Sequence, residues 1–501
     1  MYLNQKIYLG KAEDRKVFMN LNMANRHGLI TGASGTGKTV TMKVLTESFS
    51  DAGVPVFLCD IKGDVSGLCA KGIQNENMEK RIDFFEIRDS FSYRPYPVTF
   101  WDVYGESGHP VRATVSDMGP ELLSRILDLT VAQEGVLNIV FKIADDHNLK
   151  IIDLKDLKSV LNYIGEHRAE YITTYGNITS ASVGAILRAL MPLENQGGEY
   201  FFGEPELDIQ DWIRTTYDGK GMINLLDCTK LALNPKLYAF FLLWMMSELY
   251  ETLPEEGDLE KPKLVFFFDE AHMLFSEAPK ALLAKIEQVV KLIRSKGVGI
   301  YFVTQNPADI PDSVLAQLSN KVQHALRAYT PKAQKAIRAA AQSFRANPAF
   351  DTEEMISQLG VGEALVSVLD EDGIPTIVEY TKIICPQSSM KPAAKEEIEN
   401  ALSTDGMTKY DRLVDNESAY ELLEIQKIQE AAEKEEAKKE VDRKKAEEQA
   451  RKALEKKRQQ ERNAAKKKAE RRQAQIERSL INTAGSVLRR GILKILKKVG
   501  Y

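Results

Sequence analysis

Residues 32–39 read GASGTGKT, which places two glycines, a lysine and a threonine at the spacing G-x-x-x-x-G-K-[ST]. Glycines allow successive backbone N–H groups to turn inward around an anion, and a helix that begins at the end of the segment adds the positive end of its dipole. In this pattern the lysine bridges the β- and γ-phosphates and the threonine hydroxyl ligates Mg²⁺. Against the alternative of a merely flexible turn, we predict a nucleotide-binding loop formed by Gly32, Ala33, Ser34, Gly35, Thr36, Gly37, Lys38, Thr39 and Val40.

Two adjacent carboxylates, Asp269 and Glu270, follow the apolar stretch VFFF at residues 265–268. Because such a stretch is typical of a buried strand, both side chains stand at a strand tip. A carboxylate there can hold the water shell of Mg²⁺, which we predict for Asp269, and its neighbour can polarise the attacking water, which we predict for Glu270. A helix cap or a surface turn is the alternative, but the glycine-rich loop favours the catalytic interpretation and hydrolysis of a nucleoside triphosphate.

Two more polar side chains stand where predicted strands end. Gln305 ends the strand VGIYFVTQ, and its amide can sense the γ-phosphate and orient water, or simply bond to loop backbone. Asp60 ends the strand VPVFLCD. It can orient a phosphate-bound water or a neighbouring ligand, or it can cap a turn with Lys62 and Gly63, and both interpretations stay open.

Hydrolysis on such a loop generally needs extra positive charge against the transition state. Arg294, in the segment KLIRSKGVG after the acidic pair, is our candidate for the arginine finger. It fits equally well as a residue at a helix C-terminus that meets the helix dipole. Weaker candidates are Arg327, Arg338 and Arg345.

Strand and helix patterns alternate along most of the chain. A strand, the glycine-rich loop, a helix and a second strand form the strand–helix–strand unit of a parallel sheet. The strand pattern returns after a long block of helical periodicity. We predict an α/β fold whose mostly parallel core comprises residues 1–115 and 208–386, with an all-α insertion at 116–207 and a charged helical tail at 387–501.

Composition indicates an ordinary soluble protein, with 44% apolar and 28% charged residues. The four cysteines are scattered without a CxxC pair and the six histidines are dispersed, which argues against a disulfide framework and against a metal site made only of protein ligands. The chain start lacks the apolar stretch of a signal peptide, and the longest apolar run, YAFFLLWMM, is too short to cross a bilayer. We therefore expect a cytoplasmic protein.

The C-terminal tail is strongly basic, with 17 Lys and Arg against 4 Asp and Glu from residue 451 onward, whereas the body is acidic. Its sequence predicts a long solvated helix or a loose coiled coil, and its charge can alternatively neutralise nucleic-acid phosphates. The final segment can lie on an anionic membrane surface or dock a partner helix. Its apolar face consists of Val487, Leu488, Ile492, Leu493, Ile495, Leu496 and Val499.

These segments together resemble the HerA–FtsK superfamily of RecA-like motor ATPases. Three segments of this chain are similar to motifs of its HerA-like helicase branch: HGLITGASGTGKTVTMKVLTE, FFFDEAHMLF and RSKGVGIYFVTQNPADIPDSVLAQLSNKVQ. More narrowly, the segment CDIKGDVSGL and the basic tail resemble those of a bacterial HerA-like group that was long classified as a domain of unknown function. The resemblance covers about residues 5–385. It implies a RecA-like P-loop NTPase core, ATP and Mg²⁺ as ligands, and a homohexameric ring with ATP at the subunit interfaces and a DNA-sized pore.

The resemblance also assigns roles by position. It implies that Lys38 and Thr39 contact the nucleotide and Mg²⁺, and that Asp269 and Glu270 are the Walker B pair. Gln305 falls at the sensor position and Arg294 at the position of the trans-acting arginine. Asp60 falls where the family has an acidic residue after its second strand. Since only 31 residues precede the loop, we do not expect the N-terminal β-barrel that HerA helicases carry.

Three functions follow from these patterns. The leading hypothesis is an ATP-hydrolysing ring that translocates or remodels DNA. The second is an ATPase switch that acts on a protein partner through the helical insertion and the tail. The third is a structural coiled-coil scaffold with an inactive nucleotide site.

Overall fold

The computed structural model describes residues 1–257, 259–276, 280–327 and 330–496. These residues divide into two compact units, Met1–Leu423 and Glu424–Tyr501. Within the described ranges, every helix is too short or too polar to span a membrane. The glycine-rich loop and the acidic pair both lie in the first unit.

One mixed sheet runs through the first unit. Its strands within the described residues are β1 (Tyr2–Leu3), β2 (Lys6–Ala12), β3 (Arg15–Asn20), β4 (Gly28–Thr31), β5 (Val56–Asp60), β6 (Val98–Asp102), β7 (His109–Pro110), β8 (Ile223–Asp227), β9 (Leu264–Phe268), β10 (Val298–Thr304), β11 (Asn320–Gln323), β12 (Glu363–Ser367) and β13 (Glu379–Ile383).

The strand order is β1-β2-β13-β12-β11-β4-β10-β9-β5-β8-β6-β7, and β3 pairs with β2. All neighbours from β11 to β7 are parallel, whereas β12, β13, β2, β1 and β3 are added by antiparallel pairing. This arrangement confirms the predicted α/β fold with a mostly parallel sheet. The strand before the glycine-rich loop, β4, neighbours β10, and β10 neighbours β9, so the three strands that carry the predicted site are adjacent.

Helices connect strands of the sheet, the last two following β13. They are α1 (Lys38–Asp51), α2 (Glu76–Phe84), α3 (Val115–Ile126), α4 (Val131–Asp146), α5 (Leu154–Glu166), α6 (Arg168–Tyr175), α7 (Ser180–Leu193), α8 (Glu199–Phe201), α9 (Pro235–Thr252), α10 (His272–Ser276), α11 (Lys280–Leu292), α12 (Asp312–Leu315), α13 (Pro331–Gln342), α14 (Thr352–Gln358), α15 (Lys395–Thr404) and α16 (Ala419–Leu496).

Strand β9 shows why the central strands are continuously apolar. Every residue of its sequence LVFFF is buried. Because side chains alternate between the faces of a strand, Phe266 and Phe268 enter one apolar core while Val265 and Phe267 enter the other. A parallel strand with helices on both faces needs apolar residues at every position. This double burial fixes the tip of β9, where the acidic pair begins.

The segment between β7 and β8 is helical, from α3 to α8. Its buried side chains share one apolar core with α9 and one face of the sheet; examples are Leu137, Leu157, Leu190, Trp244 and Phe266. The helical block therefore packs against the crossover helix that precedes β9.

The first unit continues beyond residue 386. The buried Glu47 carboxylate of α1 accepts hydrogen bonds from the backbone N–H groups of Gln387 at 2.8 Å and Ser388 at 2.9 Å. This contact fastens the start of the C-terminal segment to the helix that follows the glycine-rich loop.

The second unit consists of the greater part of α16. Its described side chains are nearly all exposed, and Val487 and Leu488 are among them. The other predicted members of the apolar face lie outside the described residues, entirely so for Val499 and in their side chains for Ile492, Leu493, Ile495 and Leu496. The amphipathic terminal segment therefore stays a prediction.

Candidate functional site

The glycine-rich loop joins the end of β4 to the start of α1 and holds a strongly turned backbone. Gly32 has φ +152° and Gly37 has φ +120°, conformations that L-residues with side chains rarely adopt. The Lys38 ammonium donates hydrogen bonds to the carbonyl oxygens of Gly32 at 2.7 Å and Ala33 at 3.2 Å. The loop's own carbonyls thus hold the lysine over the loop, next to the backbone that the sequence assigns to phosphate binding.

His324, which follows β11, supports the loop from behind. A Cβ atom at Gly32 would lie 2.5 Å from the His324 Cβ, so only glycine allows this approach. The His324 Nδ1–H donates to the Glu363 carbonyl at 2.9 Å, and Nε2 accepts from the Thr41 hydroxyl at 2.8 Å. Burial lowers the pKa of His324 to about 4, which keeps the imidazole neutral. His324 could not be predicted from the sequence, because a lone histidine after a strand carries no recognisable signal.

Asp269 stands directly after β9 with one carboxylate oxygen unsatisfied. Its Oδ1 accepts the Glu270 N–H at 2.9 Å, whereas the buried Oδ2 has no hydrogen-bond partner among the described residues. Burial raises the pKa of Asp269 to about 6, with Lys62 opposing the rise and Glu270 adding to it. A buried carboxylate oxygen without a donor is suited to a hard cation with oxygen ligands such as Mg²⁺. The residues therefore fit a Mg²⁺ ion held by Asp269 and the Thr39 hydroxyl.

Glu270 is engaged on both carboxylate oxygens. Its Oε1 forms an ion pair with Lys62, its Oε2 lies 3.2 Å from His272 Nδ1, and the Gln305 amide lies 3.5 Å from Oε1 and 3.4 Å from Oε2. Burial raises the pKa of Glu270, but the hydrogen bond and charge of Lys62 outweigh it, so the pKa lies below its ordinary value. The sequence predicted that Gln305 lies at this edge of the sheet, but it did not reveal that Lys62 contacts Glu270.

The loop and the acidic pair face the same edge of the sheet. Thr304 of β10 pairs with Thr31 of β4, and Phe302 pairs with Phe268 of β9, so these strands end at nearly the same level. Since neighbouring strands lie about 4.8 Å apart, the ends of β4 and β9 are separated by about 10 Å, which one nucleotide phosphate chain with its metal can span. Burial lowers the pKa of Lys38, while Glu270 and Asp269 counteract the fall.

Asp60 ends β5 and organises the turn that follows. Its carboxylate accepts the backbone N–H groups of Lys62 at 3.2 Å, Gly63 at 2.7 Å and Val65 at 2.9 Å. Of the two interpretations that the sequence left open, these contacts are those of the turn. Asp60 thereby places the Lys62 side chain beside Glu270.

Arg294 lies at the other end of the sheet. It belongs to the short 3₁₀ helix Ile293–Lys296 that precedes β10, whereas Gln305 follows the end of that strand. A seven-residue strand is about 20 Å long, so the arginine of this chain does not reach the chain's own acidic pair.

The weaker arginine candidates are bonded within the first unit. Arg327 donates to the Leu359 carbonyl at 2.9 Å, Arg338 pairs with Glu353 at 3.4 Å, and Arg345 donates to the Pro375 carbonyl at 3.4 Å. The structure therefore brings Lys38, Asp269, Glu270 and Gln305 to one edge of the sheet. The contacts that it shows for the weaker arginine candidates are to other groups.

The high pKa of Asp269 gives a prediction for stability. Because its folded pKa of about 6 exceeds the ordinary value of 3.8, the ionised carboxylate costs the folded state stability. That cost is absent below about pH 4, grows as the pH rises through 6 and is complete above it. We expect Asp269→Asn to raise the free energy of unfolding at pH 8 by up to about 3 kcal/mol in buffer without Mg²⁺ or nucleotide, and to change it little near pH 4.

Denaturant unfolding at both pH values measures this difference. The matched control is Asp372→Asn, an exposed aspartate in a surface turn, which should behave like the unmodified protein at either pH. Equal stability of Asp269→Asn and the control at pH 8 would contradict the assigned pKa.

Comparison with known proteins gives consistent matches. The family model described as Helicase HerA-like C-terminal matches residues 5–499. The chain is 24% identical to the DNA double-strand break repair helicase HerA of Sulfurisphaera tokodaii, over 78% of this chain and 74% of that protein. It is 21% identical to the protein of the same name from Sulfolobus acidocaldarius, over 77% and 71%. Among solved structures, plasmid coupling protein TrwB in complex with the GTP analogue GDPNP has the same fold, with a TM-score of 0.50 at 13% identity over 75% of this chain and 91% of that chain.

Proposed function

The chain belongs to the HerA-like helicase C-terminal family of the HerA–FtsK superfamily, and from this premise we propose that it is an ATP-hydrolysing motor that acts on DNA. The single observation that carries the proposal is the convergence of the Lys38 loop and the Asp269–Glu270 pair at one edge of the parallel sheet. It deepens the family assignment, because these two groups are what ATP hydrolysis requires of a P-loop protein.

Each residue of the site has a proposed task. The loop N–H groups and Lys38 bind the phosphates, and Thr39 and Asp269 hold Mg²⁺, which when bound neutralises charge on the β- and γ-phosphate oxygens. Glu270 accepts a proton from the attacking water, and Gln305, whose amide lies 3.4 Å from the Glu270 carboxylate, orients that water. Asp60 acts indirectly, by fixing the turn that carries Lys62.

The position of Arg294 supports a ring. Transition-state charge in P-loop hydrolysis is neutralised by an arginine in the same chain or in a neighbour. Because Arg294 lies a full strand length from its own Glu270, we propose that it serves the site of an adjacent subunit in a homohexamer. The site is then complete only in the oligomer.

DNA is the proposed substrate, since the family is described as helicase-like and the matched relatives are named repair helicases. In this proposal residues 1–115 and 208–386 form the motor core, residues 116–207 an inserted subdomain, and residues 387–501 a charged tail whose basic part, from residue 451 onward, holds DNA phosphates. A cytoplasmic location and coiled-coil pairing of the tail belong to the same proposal. The second candidate, a switch that remodels a protein partner, rests on the helical block of α3 to α8, which is inserted between β7 and β8.

The rate of ATP hydrolysis with and without DNA tests the choice. We expect single- or double-stranded DNA to raise kcat several-fold at low salt, and the stimulation to fall steeply as salt increases, because bound phosphates release counterions. The protein mass should be measured in the same samples. Hydrolysis that no DNA stimulates, with no DNA binding at low salt, would favour the protein-remodelling switch.

A further inference from the structure

The Glu270 carboxylate is held by contacts that weaken it as a general base. Lys62 forms an ion pair with Oε1, His272 lies 3.2 Å from Oε2, and the Gln305 amide lies 3.4 to 3.5 Å from both oxygens. A general base must offer a free lone pair to the water that it deprotonates. A carboxylate has about four lone-pair sites, so these partners leave room for a water, but the ammonium of Lys62 on Oε1 stabilises the ionised form and makes Glu270 a weaker proton acceptor.

The backbone at Glu270 is also in an uncommon conformation. Its φ is +44°, in the left-handed region that costs free energy for any residue with a side chain. Such conformations persist only where the surrounding contacts hold them. The strongest charged contact of this side chain is the ion pair with Lys62, which lies in the turn after β5.

The segment that carries Lys62 is fastened along its backbone, whereas the lysine side chain is partly exposed. Asp60 anchors it through three backbone N–H groups, and Gly63 has φ +73°, a conformation that gives this turn its sharp bend. The Lys62 side chain is 44% exposed although its partner Glu270 is only 6% exposed. The ammonium can therefore leave the carboxylate toward solvent without disturbing the buried strand tip.

We propose that Lys62 is a positioning residue that holds Glu270 in a resting arrangement, so that ATP hydrolysis stays slow until the Lys62 side chain turns toward solvent and releases the carboxylate. This inference rests on the proposed ATPase function. It gives the turn after β5 a regulatory task, because any ligand that draws the Lys62 ammonium away from Glu270 speeds hydrolysis without touching the nucleotide.

Substitution of Lys62 tests the proposal. Lys62→Met keeps the length of the side chain and removes its charge, and Lys62→Arg keeps the charge. Without DNA, we expect Lys62→Met to raise kcat about two- to fivefold with little change in KM, since a half-exposed ion pair is worth a factor of this size. Lys62→Arg should have the kcat of the unmodified protein. The matched control is Lys71→Met, an exposed lysine farther along the same connection.

A double variant separates this role from direct contact with the nucleotide. If Lys62 acts through Glu270, then Lys62→Met has no effect in a protein that already carries Glu270→Gln. A kcat of Lys62→Met at or below the original value, or an equal change of rate in the Glu270→Gln background, would overturn the proposal. Both Lys62 variants must keep the unmodified melting temperature, and Lys62→Gln replaces any variant that does not.

The proposed ATPase function and the proposed role of Lys62 can be contradicted separately. If the unmodified protein hydrolyses ATP no faster than Glu270→Gln, the proposed ATPase function fails in its basal form, and activity that appears only in Lys62→Met would still support the restraint. If the unmodified protein is active and Lys62→Met is not faster, the restraint is wrong and the ATPase function stands.

Discussion

Replacing Glu270 by glutamine is expected to lower the kcat of ATP hydrolysis about 10²- to 10⁴-fold, the usual contribution of a general base. Glutamine has nearly the same shape but cannot accept the proton of the attacking water. ATP should bind with almost unchanged affinity, because the loop and Lys38 are untouched. Steady-state hydrolysis and equilibrium binding of a fluorescent ATP analogue measure the two effects separately.

The informative control is Lys38→Ala, which removes the phosphate-binding ammonium and should weaken ATP binding together with hydrolysis. A matched exposed change is Glu371→Gln, in a surface turn, which should leave both properties unchanged. If Glu270→Gln retained more than about one tenth of the original kcat, Glu270 would not be the base. Loss of ATP binding in Glu270→Gln would instead indicate that this carboxylate serves the structure of the site.

Arg294→Ala is expected to lower kcat about 10³-fold while ATP binding persists, as removal of an arginine finger does. Because the arginine is a strand length away from its own acidic pair, the loss should be repaired by mixing subunits. In a mixed ring, an Arg294→Ala subunit supplies Glu270 and its Glu270→Gln neighbour supplies Arg294, so some interfaces are complete. Hydrolysis should therefore rise when the two inactive variants are combined.

The mixing experiment has two controls. Arg412→Ala changes an exposed arginine and should be as active as the unmodified protein. Each inactive variant alone, at the total protein concentration of the mixture, should show no recovery of hydrolysis. A mixture no more active than its components would contradict a shared site, and nearly full activity of Arg294→Ala alone would show that another group supplies the charge.

The chain's local patterns predicted the fold because each element carries its own signal. The glycine spacing at residues 32–39 predicted a loop between strand and helix, and the apolar run before Asp269 predicted a strand tip. Parallel strands all end at one edge, so placing their tips also brings Lys38, Asp269, Glu270 and Gln305 together. The family comparison and the sheet topology confirm the predicted family and fold, and the roles of these residues stay a prediction.

Long-range contacts were beyond the sequence. Lys62 reaches Glu270 from a position 208 residues away, and His324 reaches Thr41 from 283 residues away. Neither contact has a periodic pattern, because each depends on how two distant turns meet. The antiparallel pairing of β13 with β2 likewise joins the two ends of the sheet-forming chain. Only the assembled sheet reveals these pairs.

The central claim is that the Lys38 loop and Asp269 bind one ATP together with one Mg²⁺. Its most direct test is the affinity of a non-hydrolysable ATP analogue, measured with and without Mg²⁺ for the unmodified protein and for Asp269→Asn. Mg²⁺ should tighten binding to the unmodified protein, and Asp269→Asn should bind the analogue as the unmodified protein does in the absence of Mg²⁺ but gain little when Mg²⁺ is added. If Mg²⁺ tightened binding equally in both proteins, the loop and the acidic pair would not share one ligand.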